Sequence, residues 1–538
     1  MSKTRMKKAE SFEVPQKDRA AEIANTFEWL TTAFILAFVF RVFVMEAFRI
    51  PTGSMADTLM GAHFRLCCPQ CGYKYDYGFI PESYGFTAGT IPTGYVRPVN
   101  SRCPSCGHYQ QTGGHMPIAS GDGILVLKWI YQFFEPKQWD VVVFRNPLEP
   151  EINYIKRLVG RPGETVEIID GDIYINGQIS RKPANVQNEL WMPVYDNDYQ
   201  PIRPAEPSFN RHKWQQPLKN VEGSKWAVPE GNPTKFCLDS PPGQVNSLFY
   251  DTSIGNDFRA TYAYDDISEY EFLPYCSDLK TRFYVCWAEP QGGIGAGLSK
   301  YGNNYKAWID FSGEMAIAKV SDGGEMVLAQ KRVASAVIKT PVLVEFANVD
   351  HRLIFRFGGE TLTCDLGRSP NDAGPRDTNI QPQVQIFGSG KLTISHIAIF
   401  RDIHYTGKKY AASSELGRAV EGNPLALQKD EFFVLGDNSP GSLDGRWWDR
   451  PGKGNRGLLY REGIVPREYM VGKALFVYGP GGFDPPGLPS FKMFLFKSSR
   501  HSRLAATMYA VVSWWKCIPN VGQMRFIYGG SDKEQQNL

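Results

Sequence analysis

Two neighbouring stretches, WDVVVFRNP (139–147) and YIKRLVGRPGETVEI (154–168), decide how this chain folds. Val141 to Phe144 is an uninterrupted apolar run of the length and composition of a buried strand, and Tyr154 to Val159 reads as another. Lys156 falls inside the second strand, between Ile155 and Arg157. Alternation puts it on one face with Tyr154 and Leu158, an awkward place for an ammonium. The competing reading is a lysine on an edge strand, facing water.

Downstream, FVLGDNSPGSLDGRWWD (433–449) and GIVPREYMVGKALFVY (463–478) describe a strand entering a Gly-Asp-Asn turn, a loop of small polar residues, and a strand from Met470 to Tyr478. Upstream lies FRIPTGSMADTL (48–59), where Pro51 and Gly53 force a turn and Ser54 stands just beyond it. A lone serine is ordinarily a turn residue. Neither G-x-S-x-G nor H-E-x-x-H occurs, which excludes an α/β-hydrolase elbow and that zinc-protease motif. Before the serine, WLTTAFILAFVFRVFVMEAF (29–48) carries only Arg41 and Glu46 as charges. As a helix it would span about 30 Å, the thickness of a hydrocarbon core. Lys3, Arg5, Lys7, Lys8, Lys17 and Arg19 precede it, so the positive-inside tendency places the N-terminus in the cytoplasm and the rest outside. No A-x-A-like site follows, unlike a cleaved signal peptide. A second apolar run, Leu504 to Trp515, is too short to span and reads as interfacial or core packing.

The chain has 538 residues, enough for several folded units, and its 59 basic and 56 acidic side chains leave a net charge of +3. That balance argues against a nucleic-acid partner held by bulk charge. Apolar residues at 42% exclude a wholly disordered chain, and a mean hydropathy of −0.32 excludes a polytopic transporter. With 52 glycines and 37 prolines, a mainly β protein rich in turns is expected.

Together these segments resemble the type I signal peptidases, membrane proteases with a serine–lysine dyad. PTGSM is similar to the nucleophile box, with Ser54 as its serine. DVVVFRNP and YIKRLVGRPGE are similar to the next two boxes, with Lys156 as general base, and GDNSPGSLDGR is similar to the last. The resemblance implies that Thr52 lends its hydroxyl to the oxyanion hole and that Ser442 orients the lysine by a hydrogen bond. It further implies that Asp444 pairs with an arginine, Arg446 or Arg157. Ser439-Pro440-Gly441 stands where Arg-Asp-Asn is common, and Gly445 where a serine is common. Serine is a weak nucleophile until a base takes its proton, and lysine is a base only when neutral, so an apolar site must lower its pKa from about 10.4. The resemblance implies no cofactor for catalysis, secretory preproteins as substrates and a place in the inner, cytoplasmic membrane.

Two further segments interrupt that core. LCCPQCG (66–72) and SRCPSCGH (101–108) are C-x-x-C knuckles resembling a zinc ribbon, with Cys68, Cys71, Cys103 and Cys106 as ligands of one structural zinc and Cys67, His63 and His108 as spares. Disulfides are the other reading, since this part is expected outside the cytoplasm. Segments such as YKAWIDFSG (305–313) and KLTISHIAIFRDIHYT (391–406) alternate like a β-sandwich and resemble concanavalin-like jelly rolls. Sugar binding and a plain spacer are both open there, and the pairing of Cys237, Cys276, Cys286 and Cys364 is undetermined.

The expected organisation is thus a basic tail (1–25) and a transmembrane anchor (26–48), followed by an antiparallel β catalytic core (49–60, 120–182 and 426–480). The core is split by a ribbon-like insertion (61–119) and a jelly-roll sandwich (183–425), and an extension (481–538) ends the chain. The expected function is a membrane-anchored serine endopeptidase that removes signal peptides. The alternative is a non-catalytic envelope protein that binds carbohydrate or protein through the sandwich; a self-cleaving repressor relative is disfavoured by the anchor.

Overall fold

Val141–Arg145 (β3) and Asn153–Gly160 (β4) pair antiparallel, with Lys156 opposite Val142. The computed structural model describes residues 19–530, apart from 88–89, 91–94, 206–212, 267–272, 288, 290, 334–339, 373, 409–414, 455–456 and 480–522. The apolar run at 504–515 lies outside the described residues.

Four more strands complete the sheet around this hairpin: Met45–Arg49 (β1), Gly123–Leu127 (β2), Glu431–Leu435 (β5) and Met470–Gly479 (β6). Their order is β1–β2–β6–β3–β4–β5, with Val465–Pro466 beyond β5 and Arg525–Phe526 beside β6. β4 is therefore an interior strand, flanked by β3 and β5. This removes the edge-strand reading of Lys156. Ile155 packs with Ile50, Met55, Leu59, Val141 and Val143, whereas Tyr154 and Leu158 pack with Val142, Phe144 and Trp448. Each large apolar side chain buried this way contributes about 1.5–3 kcal/mol relative to exposure.

The N-terminal segment departs from expectation. Arg19–Val39 is an α-helix (α1), Phe40–Val44 continues it as a wider π turn, and the chain is already extended at Met45. The last residues of the expected anchor thus belong to β1, where Met45 to Arg49 pair with Leu127 to Gly123. The hydrogen bonds on offer along β2 win over helix continuation there. Among the described residues, no helix is long and apolar enough to cross a membrane. Phe27, Trp29, Phe34 and Phe38 of α1 are each at least 66% exposed.

Residues 192–401 supply two seven-stranded antiparallel sheets. Burial alternates residue by residue along strands such as Leu279–Trp287, and the inner faces of both sheets meet in one apolar cluster. Phe283, Ile294, Ala307, Phe346, Phe355 and Ile394 are at most 1% exposed within it. This is a β-sandwich by construction. A smaller four-stranded sheet, Gln178–Ile179, Asp172–Ile175, Thr165–Ile169 and Leu425–Ala426, lies beside the β1–β6 sheet in sequence and carries Asp172 to the sandwich seam.

Candidate active site

Ser54 follows the turn that leaves β1. The Ala56 N–H bonds Gly53 O at 2.9 Å and the Leu59 N–H bonds Met55 O at 2.8 Å, so residues 53–59 form a short, closed turn. Met55 and Leu59 are fully buried in the apolar cluster under the β1–β6 sheet and plug that turn into it. Ser54 O in turn accepts the Asn438 N–H at 3.1 Å, which ties the serine to the loop after β5.

Lys156 comes from β4, 102 residues away, and its Nζ lies 2.5 Å from Ser54 Oγ. It also donates to Ile155 O at 3.1 Å and stands 5.6 Å from the centre of the Tyr154 ring. Only 4% of the residue is exposed. Burial, which penalises the ammonium, pulls its pKa from 10.5 to about 8; Asp444 and Asp437 oppose the shift and Arg446 adds to it. A lysine in that range is half neutral at mildly alkaline pH, next to an alcohol within proton-transfer distance.

Two buried ion pairs shape the loop behind the dyad. Arg157, adjacent to Lys156, makes a bidentate pair with Asp437 at 2.8 and 2.7 Å and donates to Trp139 O at 3.0 Å. Arg446 makes a bidentate pair with Asp444 at 2.9 and 2.8 Å, and Asp444 also accepts the Gly436 N–H at 2.9 Å. The partner of Asp444 is therefore Arg446, and Arg157 serves Asp437. All four side chains are buried, where such forks are strong and directional. Ser439, at the first position where the motif departs from the common pattern, accepts from Arg446 Nη1 at 2.7 Å and from the Thr406 N–H at 2.8 Å.

Ser442 does not make the expected hydrogen bond to Lys156 in this structure. It is buried, but its hydroxyl has no hydrogen-bond partner among the described residues, and the lysine is held by Ser54 and Ile155 O instead. Thr52 lies two residues before Ser54 and is exposed.

Apart from the dyad, the four expected knuckle cysteines converge. Cys68 and Cys71 sit in the turn between His63–Cys67 and Lys74–Gly78, and Cys103 and Cys106 in the turn between Val99–Arg102 and Tyr109–Thr112. Both turns close the same way: the Gly72 N–H bonds Cys68 O at 2.9 Å, the Gly107 N–H bonds Cys103 O at 3.1 Å, and both glycines adopt φ of +76°. The four Sγ atoms lie within 4.8 Å of one another, with Cys68–Cys106 and Cys71–Cys103 each at 3.6 Å. A tetrahedral zinc with bonds of about 2.3 Å needs sulfurs about 3.8 Å apart, whereas a disulfide needs about 2.05 Å. All four are free thiols, and hydrogen bonds from Cys103, Cys106 and Cys71 hold the Cys68 thiol far below its ordinary range. The donor set fits zinc; Cys67, His63 and His108 stand outside it.

Comparison with known proteins finds its sequence matches on both sides of the sandwich and partly within it. The family model described as signal peptidase, peptidase S26, matches residues 107–232 and 388–479. That span takes in Lys156, Asp437, Ser442, Asp444 and Arg446, begins after Ser54, and is interrupted within the sandwich. Signal peptidase I of Rickettsia canadensis (strain McKiel) is 30% identical over 151 residues, covering 28% of this chain and 42% of that protein. Signal peptidase I of Rickettsia typhi (strain Wilmington) is 29% identical over 154 residues, covering 29% and 44%. The chain therefore spans less than half the length of these relatives. Among solved structures, carbohydrate binding module CBM66 from Bacillus subtilis aligns with a TM-score of 0.23 and 9% identity, over 34% of this chain and 95% of its own. The VIP36 exoplasmic/lumenal domain in its Ca2+/mannose-bound form aligns with 0.24 and 7%, over 39% and 93%. Residues 107–232 and 388–479 are thus similar to the signal peptidases of family S26.

Proposed function

We propose that this protein is a membrane-anchored serine endopeptidase that removes signal peptides from secretory preproteins, with Ser54 as nucleophile and Lys156 as general base. The observation that carries the reading is the 2.5 Å approach of the two side chains, with the amine 4% exposed. In the proposed reaction the neutral amine takes the Ser54 proton as Oγ bonds to the substrate carbonyl carbon. The carbonyl oxygen then carries the negative charge, met by the Ser54 N–H and the Thr52 hydroxyl. Collapse of this intermediate breaks the C–N bond, and Lys156 returns the proton to the leaving amine. Water, deprotonated by the same lysine, then releases the acyl group from Ser54. Asp437–Arg157 and Asp444–Arg446 hold the loop that carries Asn438, and so act on Ser54 indirectly.

In this reading α1 and the turn after it lie in the inner membrane, the basic N-terminal tail faces the cytoplasm, and the sheet stands outside. The exposed apolar side chains along the second half of α1, from Phe27 to Phe38, support this reading, because they leave a large apolar surface without a protein partner. Residues 61–119 form a ribbon-like insertion whose four cysteines hold one structural zinc, and 183–425 form a second insertion. Cleavage of a model preprotein by the full chain in detergent tests the function. Wild type is expected to process it, and Ser54→Ala and Lys156→Ala are not; equal processing by all three removes the dyad from the mechanism.

A further inference from the structure

The loop between the sandwich strands Asn246–Tyr250 and Leu279–Trp287 reaches out of the sandwich and lies against the nucleophile turn. Tyr264 occupies the space beside Gly53, so that a Cβ on Gly53 would fall 1.9 Å from the Tyr264 ring. The Tyr264 hydroxyl donates to Ala62 O at 2.7 Å, and its own carbonyl accepts the Gly78 N–H at 2.8 Å. The ring is thus wedged between the turn carrying Ser54 and the first hairpin of the cysteine knuckles. The next residue, Asp265, accepts from Asn438 Nδ2 at 2.7 Å, and Asn438 is the residue whose backbone N–H holds Ser54 O. Tyr262 donates to Asp437 O at 3.0 Å. Three consecutive contacts of one loop therefore fall on the two segments that meet at the dyad.

That loop is itself held. Asn256 Nδ2 donates to Pro104 O at 2.9 Å and to Val194 O at 3.0 Å, bridging a knuckle and the sandwich. Arg401, from a sandwich strand, lies over the Tyr262 ring at 5.1 Å and donates to Thr261 O. Tyr262 and Tyr264 are 3% and 5% exposed, which a decorative surface loop would not be. A catalytic serine tolerates little misplacement, and here the residue before it and the Asn438 side chain are fixed by contacts that start in this loop, while the Asn438 backbone holds its carbonyl.

We propose that Tyr264 and Asp265 are positioning residues for Ser54, so that the sandwich segment completes the active site. The proposal rests on the proteolytic reading of Ser54. Its test uses the full chain in detergent with Tyr264→Ala, Asp265→Ala and Asp265→Asn, read by preprotein cleavage kinetics and by amide hydrogen exchange. Both alanine variants are expected to lower kcat roughly tenfold to a hundredfold with KM within about twofold. Asp265→Asn, which keeps an oxygen for Asn438 Nδ2, is expected to recover most of the rate. Exchange of residues 54–59 is expected to quicken in the alanine variants while Val342–Val349 of the sandwich stays protected. Wild-type kcat and exchange in both alanine variants would overturn the proposal. So would a rate loss accompanied by equal deprotection of Val342–Val349, because that is general unfolding. If wild type itself fails to cleave, the proteolytic reading falls, and exchange at 54–59 alone decides whether the loop orders the serine.

Discussion

Lys156 beside Ser54 and the pair Lys182 and Lys300 at the seam between the small sheet and the sandwich are all buried, yet their surroundings are opposite. Lys182 Nζ stands 2.5 Å from Asp350 and 2.9 Å from Asp402. Lys300 is paired with Asp278, and Asp172 lies 3.6 Å away. These four carboxylates, within 4.8 Å of one another, push both lysines well above the ordinary range despite burial. Lys156 makes no ion pair among the described residues and finds a hydroxyl and a carbonyl instead, so desolvation wins and its pKa falls. The comparison teaches that burial alone does not make a base. What decides is whether a carboxylate is within hydrogen-bond reach: with one the buried lysine is held as a cation, without one its pKa falls.

Exchanging the partners breaks this contrast most forcefully. Lys156→Ala or Ser54→Ala is expected to lower the cleavage rate roughly a thousandfold or more, whereas Lys300→Met should leave the dyad chemistry of the folded fraction intact. Steady-state kinetics on the three variants checks this. At the seam, Lys182→Met leaves Asp350 and Asp402 buried without their cation and is expected to cost about 3–5 kcal/mol, measured by denaturant unfolding in detergent.

The opposite sign is expected at the dyad. Because the folded pKa of Lys156 is about 8 against 10.5, the unfolded chain binds more protons between those values, so stability rises with pH through that window. Below about pH 8 the cost of burial is felt in full, and Lys156→Met is expected to stabilise the fold by up to about 3 kcal/mol at pH 7. The gain should shrink toward zero near pH 10.5, which thermal melts across the range would reveal. Smallest per step is the pH dependence of catalysis: kcat/KM is expected to rise about tenfold per pH unit below pH 8 and to level off above it. Metal analysis sharpens the account of the cysteines, with about one zinc per chain expected.

Much of the approach of Ser54 to Lys156 was legible in the chain because each box is local. A turn forced by Pro51 and Gly53, an apolar strand with a misplaced lysine and a Gly-Asp-Asn turn each announce themselves within a dozen residues. The knuckle cysteines were legible for the same reason, through paired spacing and a glycine after each pair. The partner of Asp444 was not, since Arg446 and Arg157 are both plausible until the sheet sets which carboxylate each fork meets. The direction of the Ser442 hydroxyl was not legible, because it depends on how the loop from Ser439 to Asp444 is folded. Nothing periodic marks Tyr264 or Asp265. Their contacts cross roughly 170 to 210 residues of chain and arise only where the sandwich loop meets the turn at Gly53. The end of the expected anchor differs as well: Met45–Arg49 pairs with β2, a partner about 80 residues away that local composition does not reveal.

The central claim is a neutral amine beside an alcohol, and titration of the Lys156 side chain, followed by NMR of isotope-labelled lysine in the full chain, reads it directly. A midpoint near 8 that shifts on Ser54→Ala is expected. A midpoint remaining near 10.5 would mean a permanent ammonium at that position and would contradict the role of Lys156 as base.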